Sequence, residues 1–155
     1  YPASTTAEEI LAANPDGIML SNGPGDPKEC TEVIKEIRKL YESDTPIFAI
    51  CLGHQLMALA TGADTHKMKY GHRGGNHPVK DLETGRVYIS SQNHGYVVDT
   101  DNLDPKVAVP AFINVNDGTN EGLKYTGKIF LQYSSIRKHA RDHRIPVICL
   151  NGLSK

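Results

Sequence analysis

The chain has 155 residues, 39% of them hydrophobic and 23% charged, which is enough for the core of one globular domain but not of two. Seventeen basic and eighteen acidic side chains give a formal charge of -1, which excludes the broad positive field that non-specific binding to nucleic acid or an anionic membrane requires. No apolar run reaches the roughly 20 residues of a membrane span and no basic-then-apolar leader opens the sequence, so we expect a cytoplasmic protein whose partner is a small molecule or another protein.

The first predicted elements are a short helix and a short buried strand. Two threonines each precede a glutamate by three residues, the spacing of a capping box: Thr5, Thr6, Glu8 and Glu9. The helix that they begin is expected to end at about Ala13. The apolar run 17–21 has the length of a buried strand. Because the chain begins at Tyr1 without a methionine or a leading strand, we expect a piece of a longer protein.

A loop, a helix, a second strand and a second helix follow. The glycines and prolines of 22–27 predict a loop. Apolar residues in 28–42 recur at steps of three and four, which predicts a helix with one buried face. A second buried strand is predicted at 46–50 and a helix at 52–60, with Gly62 as its C-terminal cap.

Beyond Gly62 the pattern becomes rich in short strands separated by glycine-rich turns. The predicted strands are 67–70, 77–80, 86–90, 107–115 and 128–133. We therefore expect an α/β first half and a β-rich second half.

The cysteines are Cys30, Cys51 and Cys149, an odd number without framework spacing, which disfavours a disulfide scaffold. Cys30 lies on the apolar face of its helix, where an isolated thiol is usually inert. Cys51 lies between a strand and a helix, where a sharp turn can expose a nucleophile above a sheet. The helix N-terminus is expected to lower the pKa of Cys51 and to favour its thiolate. An inert buried thiol is the alternative for Cys51.

Two stretches carry a resemblance to a known family. The segment 51–55 (CLGHQ) resembles the nucleophile motif of the class I glutamine amidotransferases, and 21–27 (SNGPGDP) resembles their oxyanion loop. Three further stretches look like the carbamoyl-phosphate synthase branch of that family: 71–79 (GHRGGNHPV), 91–99 (SQNHGYVVD) and 116–122 (NDGTNEG). The resemblance is continuous over about 1–130, and it implies a flavodoxin-like fold with a largely parallel sheet flanked by helices. It also implies that the first strand and a preceding small-chain domain are absent.

The resemblance implies a role for each motif. Cys51 is expected to attack the side-chain amide of L-glutamine, release ammonia and leave a γ-glutamyl thioester that water hydrolyses. The backbone N–H groups of Gly23 and Leu52 are expected to hold the oxyanion. The implied glutamine-binding residues are Gly23, Gly25, Leu52, Gln55, Asn93, Gly95 and Tyr96, the last three on a strand-end loop. Without the resemblance, Asn93 and Gly95 are ordinary turn residues and Gln55 is a helix surface residue.

The implied partner is the large synthetase chain, which receives the ammonia for carbamoyl phosphate and so serves pyrimidine and arginine biosynthesis. This domain itself is expected to need no cofactor, because ATP and magnesium are used by the large chain. No metal site is expected, because the candidate histidines have no ligand spacing that completes one: His54, His72, His77 and His94. Asp16 and Asp26 are interpreted as turn residues.

Two alternatives remain beside this interpretation. One is another class I amidotransferase, serving GMP, anthranilate or aminodeoxychorismate synthesis, against which 71–79 argues. The other is an inactive scaffold that docks on or regulates a synthetase, which the literal C-terminal sequence favours.

That C-terminal sequence departs from the family. A cysteine nucleophile of this type needs a histidine base and a carboxylate to orient it, and the family supplies both in a His-Pro-Glu motif after a strand ending in Val-Gln-Phe or Val-Gln-Tyr. Here Phe130 is followed by Leu-Gln-Tyr-Ser-Ser-Ile-Arg, and neither His139 nor His143 has Pro-Glu beside it. Taken literally, the chain lacks the catalytic His and Glu and is expected to be an impaired enzyme.

A shift of one base in the reading frame explains this departure better than divergence. Codons for 136–152 can be chosen so that, regrouped from the last base of the Ser135 codon, they read HPEACPGPQDTGYLFER. Codons for 131–135 regroup to SAVQF after one extra T. Since the encoded residues fix most of the bases, a chance match of this length is not expected. The sequence is therefore interpreted as an amidotransferase domain, 1–130, and an out-of-frame tail, 131–155. We expect the last core strand to stop near Tyr133 and 136–155 to be irregular or mobile.

Overall fold

The computed structural model describes residues 1–126, 132–133 and 147–148. The first helix, α1, spans Ala7–Ala12 and begins at the predicted capping box. The Thr6 hydroxyl accepts a hydrogen bond from the Glu9 backbone N–H at 3.3 Å, and the Glu9 carboxylate accepts one from the Thr6 N–H at 3.0 Å. None of the helices in the described residues combines the length and apolar composition of a membrane span.

A parallel sheet forms the centre of the first half. Its strands are β1 (Ile18–Leu20), β2 (Ile47–Ile50), β7 (Gln132–Tyr133) and β8 (Val147–Ile148), and within the described residues their order is β7-β2-β1-β8, with every neighbouring pair parallel. Both predicted buried strands are confirmed. A 3-10 turn, Pro27–Glu29, and helix α2, Thr31–Glu42, follow β1, while α3, Leu52–Ala60, follows β2. Gly62 takes the predicted left-handed conformation, with φ of 98°.

The second half is an antiparallel sheet. It contains β3 (Asp64–Asp81), β4 (Val87–Asp99), β5 (Ala108–Asn114) and β6 (Asn120–Tyr125), in the order β4-β3-β5-β6. Buried side chains of α1, α2, α3, β1 and β2 form one apolar cluster with Val98, Ala108, Leu123 and Tyr125 of this sheet. The predicted fold, a largely parallel α/β half with a β-rich second half, is confirmed.

Three details of the predicted second half were wrong. The runs 67–70 and 77–80 belong to the single strand β3, because Gly71 and Gly74, at φ of 69° and 124°, let the strand change register instead of turning. Strand β4 does not end at 90 but continues to Asp99. The strand β6 was missed because the turn residues of 116–119 run directly into it.

The C-terminal expectations are tested at few residues. Of the predicted strand 128–133, Gln132–Tyr133 is described, as β7, and the expected end of this strand near Tyr133 falls at the limit of the described residues. The two residues Val147–Ile148 differ from the expectation of an irregular tail, since their backbone pairs with the free edge of β1. His139, His143 and Cys149 lie outside the described residues.

Candidate active site

Cys51 occupies a strained turn between β2 and α3. Its backbone has φ of 51° and ψ of -111°, and only Asn14 among the other described non-glycine residues has a positive φ. Such a conformation costs a residue with a Cβ roughly 1–3 kcal/mol and is found mainly where the surrounding structure enforces it for function. The predicted strand-to-helix turn is therefore present, with Cys51 at its tip.

The start of α3 approaches the end of β1 very closely at Gly53. A Cβ on Gly53 would lie 2.7 Å from both the Cβ and the carbonyl oxygen of Leu20. The Gly53 N–H donates a hydrogen bond to the Ser21 carbonyl oxygen at 3.2 Å. Strands β1 and β2 are parallel neighbours, with Leu20 opposite Ala49, so the loop after Ser21 leaves the same edge of the sheet as Cys51.

The expected lowering of the Cys51 pKa was wrong for this domain. Burial raises the pKa of the Cys51 thiol, and the hydrogen bond from the Leu52 backbone N–H acts in the opposite direction without cancelling that effect. The helix N-terminus therefore contributes as predicted, but burial outweighs it. A thiol in this environment needs a separate proton acceptor to become a nucleophile.

Gln55 joins the nucleophile helix to the antiparallel sheet. Its side chain is buried, which corrects the interpretation as a helix surface residue, and Nε2 donates a hydrogen bond to the Tyr96 carbonyl oxygen at 2.8 Å. A hydrogen bond to the Asp26 carboxylate raises the pKa of the Tyr96 phenol. Asp26 also accepts from the Lys28 backbone N–H at 2.9 Å. Asp26 is thus a turn residue with an additional contact, which the sequence did not reveal.

The remaining predicted substrate residues lie on β4, in the loop after β1 and at the start of α3. Asn93, Gly95 and Tyr96 are within β4 and not on a strand-end loop, because a change of register between Lys67 and His72 of β3 continues the pairing past them. Asn93 is exposed and Gly95 has open space where a Cβ would be, as has the exposed Gly25. Gly23 is half-buried in the loop after β1, and Leu52 is buried at the start of α3.

A polar cluster lies on the antiparallel sheet beside Tyr96. It consists of His72, His94 and Glu121, which are buried, and the exposed Asp117; we call it the His-Glu cluster. His72 Nδ1 lies 3.0 Å from Glu121 Oε1, and His72 Nε2 lies 2.7 Å from Asp117 Oδ2. His94 Nε2 lies 3.5 Å from Glu121 Oε2, and His94 Nδ1 lies 2.9 Å from the Tyr96 carbonyl oxygen.

Neighbouring groups in the His-Glu cluster favour the charged forms of His94 and Asp117. Burial alone lowers the pKa of His94, but the hydrogen bonds to Glu121 and Tyr96 and the charges of Glu121 and Asp117 more than offset this, so the pKa is raised. Partial burial likewise acts against ionisation of Asp117, yet hydrogen bonds from Thr119 and His72 lower its pKa.

The same cluster offers the ligand types of a metal site. One atom each of His72, His94 and Glu121 lie within 4.8 Å of one another. The sequence did not reveal this grouping because the three residues lie on β3, β4 and β6, which are far apart in the chain. Interstrand pairing, with His72 opposite His94, brings them together.

Comparisons with known proteins agree with the motifs. A family model described as "Glutamine amidotransferase class-I" matches residues 1–133. The carbamoyl phosphate synthase small chain of Neisseria meningitidis serogroup B is 56% identical over 127 residues, covering 82% of this chain and 33% of the relative. The carbamoyl phosphate synthase small chain of Bacillus caldolyticus is 58% identical over 124 residues, covering 80% of this chain and 34% of the relative. The chain thus spans about a third of the length of these curated relatives.

Solved structures support the fold. A putative GMP synthase protein from Thermoplasma acidophilum superposes with a TM-score of 0.72 at 20% identity, covering 87% of this chain and 68% of that one. A glutamine amidotransferase from Thermotoga maritima has a TM-score of 0.62 at 22% identity, with 76% and 55% covered. At these identities the likeness concerns the fold alone.

Proposed function

The chain belongs to the class I glutamine amidotransferase family, and we propose that it is the glutamine-hydrolysing part of a carbamoyl-phosphate synthase small chain. It hydrolyses L-glutamine and passes the ammonia to a large synthetase chain. The observation that carries the proposal is the position of Cys51, at a positive φ between β2 and α3 and beside the loop that follows β1. The identity with small chains favours this branch over other class I enzymes.

The proposed reaction uses groups at this edge of the parallel sheet. The Cys51 sulfur attacks the side-chain carbonyl carbon of glutamine, and the developing oxyanion accepts hydrogen bonds from the backbone N–H groups of Leu52 and Gly23. The thiol proton passes through a base to the leaving nitrogen, so that ammonia departs and a γ-glutamyl thioester remains. Water then cleaves the thioester, giving glutamate and restoring the thiol.

The base is expected from the segment that follows β7. Burial raises the Cys51 pKa, so proton removal has to be assisted. Strand β7 pairs with β2 in parallel, with Tyr133 opposite Ile50, the residue before Cys51, so Tyr133 lies at the edge of the sheet where Cys51 lies. This is where the family's His-Pro-Glu motif follows its strand.

We further propose that 131–155 is translated out of frame and that 1–130 is the amidotransferase domain. The relatives match over 124 and 127 residues, which agrees in length with a resemblance that ends near Phe130. On this proposal the chain as written keeps the nucleophile and lacks the base and its orienting carboxylate, so its glutaminase activity is impaired. ATP and magnesium belong to the large chain, and this domain needs neither.

Glutamate release from L-glutamine tests the proposed function. The chain is prepared with one T restored after the Phe130 codon and assayed with and without a carbamoyl-phosphate synthase large chain. We expect hydrolysis that Cys51→Ser abolishes and Cys30→Ser leaves intact. Glutamate release that survives Cys51→Ser would exclude the proposed mechanism.

A further inference from the structure

The His-Glu cluster is too deeply buried to be an incidental group of surface charges. Glu121 is 1% exposed, His94 6% and His72 7%. A carboxylate taken from water into such a site is stable only when hydrogen bonds and opposite charge replace its hydration. The fold therefore maintains this cluster at a cost in desolvation free energy, and we expect the cluster to hold a neighbouring group in place.

The cluster is connected to the nucleophile helix through one carbonyl group. The Tyr96 carbonyl oxygen accepts a hydrogen bond from Gln55 Nε2 at 2.8 Å and lies 2.9 Å from His94 Nδ1. His94 can donate there only when Nδ1 carries the proton, which leaves Nε2 facing Gln92 Oε1 at 3.4 Å and Glu121 Oε2 at 3.5 Å. Glu121, the charged partner of the two, thus helps to fix the orientation of the imidazole that holds the Tyr96 carbonyl.

His72 fixes Glu121 in turn. Its two ring nitrogens face carboxylate oxygens of Glu121 and Asp117 at 3.0 and 2.7 Å, so that each nitrogen has a carboxylate partner. Asn114 Nδ2 donates to Glu121 Oε1 at 3.3 Å. Because these hydrogen bonds occupy the atoms that would ligate a metal ion, the geometry favours a hydrogen-bonded ion cluster over a metal centre.

The backbone beside His94 is closely packed as well. A Cβ on Gly71, which has φ of 69°, would lie 2.8 Å from the His94 carbonyl oxygen and 3.2 Å from the Gly95 Cα. Gly71 therefore lets β3 press against the His94–Gly95 peptide from one side, while Glu121 holds the His94 ring. The segment 93–96 is restrained by both.

We propose that Glu121 is a positioning residue of the glutamine site. Through the His94 ring it fixes the Tyr96 carbonyl, and with it the segment 93–96, which Gln55 joins to the helix that follows Cys51. That this segment binds glutamine rests on the proposed function. The mechanical coupling from Glu121 to Tyr96 does not.

Three variants separate the positioning role from general stability. Glu121→Leu keeps the volume but removes the carboxylate that both histidines face, leaving His72 with Asp117 and His94 with Gln92 and the Tyr96 carbonyl. Glu121→Gln is the conservative variant, since its amide oxygen can accept from His72 and its amide N–H can donate to a neutral His94 Nε2. Glu83→Gln is the matched control, because it makes the same chemical change in an exposed ion pair with Lys124.

Hydrogen–deuterium exchange of a peptide covering 92–97 in the intact chain is the direct measurement. We expect Glu121→Leu to accelerate exchange of this peptide about tenfold, and Glu121→Gln and Glu83→Gln to leave it within about twofold of wild type. If Glu121→Leu does not fold, the double variant Glu121→Leu, His94→Leu removes both partners of the contact and is expected to fold and give the same acceleration. Unchanged exchange in folded Glu121→Leu, or in the folded double variant, overturns the proposal.

A labelling measurement distinguishes this proposal from the proposed function. A γ-chloroketone analogue of glutamine alkylates Cys51 by forming an S–C bond as chloride leaves, whereas iodoacetamide needs no glutamine site. In Glu121→Leu we expect the inhibition constant of the chloroketone to rise about tenfold while the iodoacetamide rate stays unchanged. If the chloroketone does not label Cys51 in the chain with one T restored after the Phe130 codon, the proposed function fails and the exchange result still decides the positioning role.

Discussion

Gln55 Nε2 lies 2.8 Å from the Tyr96 carbonyl oxygen, so a side chain on the first turn of α3 bonds directly to the backbone of β4. The Gln55 side chain is shielded from bulk water, since Gln55 is 5% exposed. The bond fixes the helix that begins after Cys51 relative to the strand that carries Asn93 and Gly95.

Replacing Gln55 is therefore expected to affect stability as well as the site. Gln55→Leu keeps the bulk of the side chain and leaves the Tyr96 carbonyl with one donor fewer, which should lower the free energy of unfolding by about 1–3 kcal/mol. Urea denaturation followed by circular dichroism measures this. The control is Glu32→Gln on the exposed face of α2, and equal stability of the two variants would contradict the structural role of Gln55.

The contact between Gly53 and Leu20 gives a second prediction. Gly53→Ala places a Cβ 2.7 Å from the Leu20 backbone, and the resulting displacement of α3 should cost about 1–3 kcal/mol of unfolding free energy. Gly75→Ala is the matched control, because its nearest neighbour, Ser91 Oγ, lies at 3.5 Å. Thermal unfolding of both variants measures the difference in stability. A Gly53→Ala protein as stable as Gly75→Ala would contradict the close contact between Gly53 and Leu20.

The raised pKa of His94 predicts a pH-dependent stability. A histidine whose folded-state pKa exceeds its unfolded value of about 6.5 stabilises the fold fully below that value. The stabilisation is lost as the pH rises through the raised folded-state pKa. Glu121 and Asp117 supply the negative charge that opposes the burial of His94, while His72, Gln92 and the Tyr96 carbonyl also face it.

Glu121→Gln should remove most of this dependence, since it deletes the main charge partner of His94. We expect the difference in unfolding free energy between wild type and Glu121→Gln to be largest near pH 6 and to shrink towards pH 9. Chemical denaturation at a series of pH values measures it. A difference that is constant or grows with pH would mean that His94 is not stabilised by Glu121.

Much of the α/β half could be predicted because its signals are local. The capping box at Thr6, the apolar runs of β1 and β2 and the periodicity of α2 each depend on residues close together in sequence. Cys51 could be identified as the nucleophile candidate for the same reason, since the strand, the turn and the helix start are contiguous.

What the sequence did not reveal depends on contacts between distant segments. The His-Glu cluster forms only when β3, β4, β6 and the β5–β6 turn are brought together, and the contact of Asp26 with Tyr96 joins the loop after β1 to the antiparallel sheet. The sign of the Cys51 pKa shift was missed because burial is a property of the packed chain, whereas the helix N-terminus can be read locally.

The reading frame of the tail gives a further prediction. With one T restored after the Phe130 codon, the segment after β7 carries the His-Pro-Glu motif and a helix that the family packs on this domain. We expect a higher melting temperature and an increase in glutamate release on the order of 10⁴, the usual cost of a missing triad member. The DNA sequence across Phe130 provides the independent check. Normal glutamine turnover by the chain as written would contradict the proposal that the out-of-frame tail leaves it without the catalytic base.

The central claim is that Cys51 is the nucleophile of a glutamine site, and peptide mapping after covalent labelling tests it most directly. The folded wild-type chain is treated with a limiting amount of the glutamine γ-chloroketone, with and without excess L-glutamine, and the modified cysteines are located by mass spectrometry. We predict that Cys51 is alkylated before Cys30 and Cys149 and that it is protected by glutamine but not by norvaline, which lacks the side-chain amide. Equal labelling of all three cysteines, or labelling of Cys51 that glutamine does not slow, would contradict the account.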